Sequence, residues 1–197
     1  MSIRACPPLG RFETAVALAI TVLVQTTVSL LSATVPVLAP EIAADRGWSV
    51  TLIALYPAIV FSTALLTSFQ VPGLLRHLGG MGLSLGCVAF SSLGLLCLLL
   101  PGALIAFSAI AIGMATGAMN PASSQILGPR TAPGNAGLIM SIKQTGVPMG
   151  AMMAGMIVPV LVLSSGWSGT VPSSLSRAWV LYSRCLPSCR GLMIRRG

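Results

Sequence analysis

Lys143 and Gln144 stand side by side inside an otherwise apolar stretch. A lysine at the centre of a bilayer costs roughly 2.5–3.5 kcal/mol on insertion scales. Its long stem either carries the ammonium toward the surface or serves a protein-lined cavity. On sequence grounds the two readings weigh evenly: a topology anchor, or a cavity cation for an anionic solute or a gating contact. Gln25, Ser29 and Ser32 form a second polar group, and spacings of four and three put them on one helical face. Such a stripe lines a water-filled cavity or makes interhelical hydrogen bonds. Asn120 is a third intramembrane amide that needs partners. Gln25, Ser29, Asn120, Lys143 and Gln144 are therefore the candidate cavity residues.

Other patterns carry less. Gly82-Leu83-Ser84-Leu85-Gly86 matches GxSxG, but a nucleophile elbow needs a strand-to-helix turn, a histidine base and an acid. The sole histidine is His77, and Glu13, Glu41 and Asp45 all fall at the edges of apolar runs. No catalytic residue is assigned, and a membrane-embedded enzyme is the weakest alternative. Asn120-Pro121-Ala122 matches one NPA box, whereas aquaporins resemble one another in carrying two. No GxxxxGK[ST] loop is present, which excludes an ATP-driven motor on this chain. Cys185 and Cys189 are spaced CxxxC, which fits no strong metal pattern, so neither metal nor cofactor is expected.

The elements that position these residues must be membrane helices. The chain is 55% hydrophobic and 7% charged, against about 25% charged residues in average soluble domains. So few charges cannot cover a water-facing surface, and the lipid bilayer becomes the expected partner. The net charge of +8 does not indicate nucleic acid, because the basic residues are scattered between apolar runs. The expected fold is all-α and transmembrane, with five spans near residues 14–38, 50–71, 81–100, 103–127 and 136–163. Pro36 and Pro40 are expected to close the first, and 72–80 to form a turn. Gly82/Gly86, Gly113/Gly117 and Gly146/Gly150 have GxxxG spacing and are expected to pack helices closely.

Arg4, Arg11, Arg76 and Arg130 put the N-terminus and the even-numbered loops on the basic, cytoplasmic side. Residues 1–13 then form a cytoplasmic N-terminus, 14–167 the membrane domain and 168–197 a basic, irregular tail without a full span. Asn120 and Lys143 come out at equal depth, about 9–11 Å from the cytoplasmic ends of consecutive helices at 1.5 Å per residue. Lys143 is expected to face the bundle, near Asn120 or the first-span stripe.

Several stretches resemble the N-terminal half of a major facilitator superfamily transporter. One is Pro36-Val37-Leu38-Ala39-Pro40-Glu41-Ile42 with Asp45-Arg46-Gly47-Trp48-Ser49. Another, Pro72-Gly73-Leu74-Leu75-Arg76-His77-Leu78-Gly79, resembles the family's GxLxDRxG loop, with Pro72 for the first glycine and Arg76 for the acid. Gly113-Met114-Ala115-Thr116-Gly117-Ala118-Met119-Asn120-Pro121 resembles the fourth span, without the family's arginine. Ser141-Ile142-Lys143-Gln144-Thr145-Gly146-Val147-Pro148 resembles the start of the fifth in bacterial members, and Gly166-Trp167 its end. The resemblance implies half of a twelve-span secondary transporter for a small-molecule solute, working by alternating access. It makes Gly73, Arg76, His77 and Gly79 gating-loop candidates and points to a bacterial inner membrane. With residues 168–197 unlike the family, the expectation is a truncated or frameshifted transporter fragment. Its expected partner is a missing second half or another copy of itself. The rival is a small non-transporting membrane subunit that packs through its GxxxG faces.

Overall fold

The computed structural model of the chain describes residues 11–47, 49–100, 104–128, 131 and 133–194. Residues 1–10 with Arg4, Trp48, Pro101, Gly102 and Arg130 lie outside them. The described residues form five helices: α1 (Arg11–Arg46), α2 (Val50–Cys97), α3 (Leu104–Leu127), α4 (Ala136–Gln144) and α5 (Gly146–Ile194), with a short 3-10 turn before α4. Among the described residues there are no strands. Four helical stretches are long and apolar enough to cross a membrane: Thr14–Arg46, Ala54–Cys97, Ile105–Leu127 and Ala136–Ser164.

The second and third expected spans thus share one helix. The expected turn at 72–80 shrinks to one residue, Gly79, whose φ of 68° and ψ of 168° lie outside the helical region. That conformation is open essentially to glycine alone. The contact register gives its consequence. In the first arm of α2, Tyr56 meets Ser108 and Ser68 meets the Gly117 carbonyl, so this arm runs parallel to α3. In the second arm, Gly80 lies against Ala122 and Ile126, and Gly94 against Ser108 and Ile112, so this arm runs antiparallel. The chain reverses at Gly79.

A second reversal corrects the tail. Gly166 has φ 69° and ψ 172°, nearly the same conformation. Before it, α5 runs parallel to α1, with Gly146 on Val22 and Gly150 on Thr26. After it the direction inverts, because Trp167 reaches Asp45 while Val180 and Leu30 line one cavity. Residues 167–194 are helical, not irregular. Thr170, Val171, Ser174 and Leu175 are buried and form a stripe of helical period. The stripe is too short to raise the mean hydropathy of the segment, but it is enough to seat the arm on the bundle.

These pairings relate the two halves of the chain. The first arm of α2 and the reversed second arm pack on α3, while the first arm of α5 and its reversed arm pack on α1. Gln25 meets Asn120 and Ser32 meets Thr116, so α1 and α3 run antiparallel at the centre. The arrangement is a swap of equivalent arms between two inverted halves.

The first helix also overruns its expected end, continuing through Pro36 and Pro40 to Arg46. Tertiary contacts hold this extension. Arg46 Nη1 donates to the Leu100 carbonyl at 3.1 Å and Nη2 to that of Leu98 at 3.0 Å. These are end-of-helix acceptors that have no partner inside α2. The Arg46 guanidinium lies 4.9 Å from the centre of the Trp167 ring, and Trp167 Nε1 donates to Asp45 at 3.1 Å. One cluster therefore joins the end of α1 to both reversed arms. Elsewhere, hydroxyls such as Thr27, Thr34, Ser84 and Ser92 bond to carbonyls four residues back. This satisfies them without water.

Candidate functional site

Glycines set the distances on which the site depends. A Cβ on Gly150 would collide with the Thr26 carbonyl oxygen, and one on Gly117 with that of Ala64. The first contact pins the start of α5 on the middle of α1, and the second pins α3 on the first arm of α2. The Gly113/Gly117 and Gly146/Gly150 pairs pack as expected. Gly82 and Gly86 do not: Gly86 faces open space, and Gly80 and Gly94 make the close approaches of that arm instead. The spacing of the pair is right, but its face is not the one turned to α3.

With α5 pinned on α1, the end of α4 comes alongside Gln25. Gln25 is fully buried, and its Nε2 donates to Asn120 Oδ1 at 3.1 Å and to Gln144 Oε1 at 3.5 Å. Three amides from α1, α3 and α4 thus meet at one point. Both N–H groups of Gln25 are used, yet its Oε1 is enclosed without a partner. An unsatisfied buried acceptor costs about 1–3 kcal/mol.

Lys143 points into the bundle and is 4% exposed. Its Nζ donates to Ser124 Oγ at 3.0 Å and to the Asn120 backbone carbonyl at 3.4 Å. The expected neighbour is therefore present, but through its main-chain oxygen and not its amide. The ammonium does not snorkel, because oxygens of α3 lie within reach at its own depth.

A cavity of about 350 Å³ opens beside the amides. Gln25, Ser29, Asn120 and Gln144 line it, whereas Lys143 stands behind the wall. Tyr56 and Phe61, from α2, form part of the apolar side. Thr116 and Tyr56 are lining residues that sequence reasoning overlooked. Thr116 lies four residues before Asn120, hence on the same helical face, and that spacing could have flagged it. Tyr56 carries no comparable signal; its hydroxyl is paired with Ser108 at 3.0 Å.

The gating-loop candidates sit apart from the cavity. Gly73, Arg76 and His77 are exposed on the last turns of the first arm of α2, which is helical there and not a loop. Gly79 is the reversal point. These residues lie at the end of the bundle opposite to Asp45 and Arg46, because Gly80 meets the last turns of α3 while Arg46 meets the end of α2. Comparison with protein-family profiles, curated proteins and solved structures finds no match to this chain.

Proposed function

We propose that this chain is one helical unit of a secondary transporter for a small solute, supplying one wall of the solute path. The observation that carries the reading is the amide-lined cavity at the junction of the two inverted halves, where Gln25, Asn120 and Gln144 converge. A polar pocket between antiparallel helices, well inside apolar spans, is costly unless it serves a solute or water. Inverted halves with a site between them suit alternating access, in which one bundle rocks against another around the site. The resemblance to the major facilitator superfamily in the sequence points the same way, and in that reading the N-terminus is cytoplasmic in a bacterial inner membrane.

Asn120 and Gln144 are exposed on this wall. Amides turned toward lipid are disfavoured. A second helical unit, or another copy of this chain, is the cover this reading requires. The rival reading, a non-transporting subunit, would use the GxxxG faces to hold a partner. Gly113, Gly117, Gly146 and Gly150 are already occupied within the chain, which weighs against it. The test is uptake of a panel of radiolabelled small solutes into liposomes reconstituted with the full chain. Saturable uptake of at least one solute, absent from protein-free liposomes, is expected. Uptake indistinguishable from protein-free liposomes across the panel would leave the subunit reading standing.

A further inference from the structure

The amide cluster has a definite hydrogen-bonding polarity, and from it we infer that the cavity takes a small neutral solute with a carboxamide-like edge, an N–H donor beside a carbonyl acceptor. The inference rests on the transporter reading for its biological meaning, but on the geometry of the site for its chemistry.

Gln25 spends both of its N–H groups on the oxygens of Asn120 and Gln144. Three consequences follow from the inventory of an amide. Gln25 Oε1 remains as an acceptor without a donor. Asn120 and Gln144, whose oxygens are engaged, offer their amide nitrogens as donors. The cluster therefore holds an unpaired, enclosed acceptor next to donors, which is the complement of another amide. Gln25 Oε1 is enclosed, and the 3.5 Å contact to the exposed Gln144 is the weaker of the two that Gln25 makes. A solute gains this oxygen once the Gln25 side chain turns it toward the cavity that Gln25 lines.

Charge is excluded by the walls. Among the described residues no acidic side chain lines the cavity, so a cation finds no counter-charge there. The nearby cation Lys143 is not among the lining residues and directs its ammonium at Ser124 and the Asn120 carbonyl. Among the described lining residues an anion therefore meets no positive group. Ser29, Ser32 and Thr116 add hydroxyls, while Val28, Phe61 and Val147 help to make the larger part of the wall apolar, which suits a solute with one polar edge and a hydrocarbon body.

The test uses three near-isosteric probes, benzamide, benzoate and benzylamine, with the full chain in lipid nanodiscs and equilibrium dialysis as the readout. Benzamide is expected to bind saturably, at least about tenfold tighter than either charged probe. Gln25→Leu should weaken benzamide about tenfold, the loss of roughly one hydrogen bond. Should Gln25→Leu fail to fold, Gln144→Glu alters an exposed side chain and replaces a donor by a charged acceptor. It should shift the preference from benzamide to benzylamine. Tighter binding of benzoate or benzylamine to the unmodified chain, or no binding of any probe, overturns the inference. So does an unchanged benzamide affinity in Gln25→Leu, or an unchanged preference in Gln144→Glu. Benzamide binding without uptake of any solute would remove the transport reading and leave the solute class intact. Uptake of charged solutes alone would do the reverse.

Discussion

The two reversed arms, residues 80–97 and 167–194, begin alike and are written in very different compositions. Each follows a glycine in the same extended, positive-φ conformation, Gly79 at 68° and 168° and Gly166 at 69° and 172°. Each returns antiparallel along a central helix, the first on α3 and the second on α1. The first carries no charged residue and is part of a stretch able to span a membrane. The second is rich in serine and arginine, and no stretch beyond Ser164 qualifies among the described residues. What they share is a buried face. Leu83, Cys87, Val88 and Leu95 line the first, and Thr170, Val171, Ser174 and Leu175 the second. A helix folds back when it has a continuous stripe to bury and a residue that permits the turn; its average apolarity is a separate property.

If the second arm is packed as firmly as the first, removing a core side chain should cost a similar amount in each. Leu95→Ala and Leu175→Ala are both expected to destabilise the detergent-solubilised protein, by about 2–5 kcal/mol in the range known for buried leucine truncations. Leu95, with no exposed surface, should lie at the upper end and Leu175, at 7% exposed, at the lower. Denaturant titration followed by tryptophan fluorescence measures both. A Leu175→Ala variant as stable as the parent would mean that the second arm is not docked.

The turns themselves provide a sharper comparison. Both glycines have open space where a Cβ would stand, so alanine there tests backbone conformation without a clash. Gly79→Ala and Gly166→Ala should each cost about 1–3 kcal/mol, the penalty of a sparsely populated backbone region. The two values should agree closely, because the angles do. A cost at Gly79 with none at Gly166 would separate the two turns.

The smallest effect concerns the cluster that ties both arms to α1. Trp167→Phe keeps a ring beside Arg46 but removes the donor to Asp45. A loss of about 0.5–1.5 kcal/mol is expected, as for an ordinary intramolecular hydrogen bond. The Arg46 contacts to Leu98 and Leu100 should survive it, so a double variant with Leu95→Ala should be additive. Strong coupling would show that the arms communicate through Arg46.

Composition and patterning alone placed this chain in a membrane and located its apolar stretches, because backbone groups and charges have no other solvent there. They also singled out Gln25, Ser29, Asn120 and Gln144, since a polar residue in the middle of an apolar run stands out whatever surrounds it. The shared depth of Asn120 and Lys143 followed from helical rise and loop length. Three other features were set by tertiary structure. Which atom of Asn120 receives Lys143 depends on how α3 and α4 are rotated, and spacing fixes depth but not facing. The continuation of α1 past Pro36 and Pro40 depends on Arg46 finding the carbonyls at the end of α2, a partner far away in the chain. The docking of residues 167–194 depends on one buried stripe meeting α1, and a stripe becomes a buried face only when another helix lies against it.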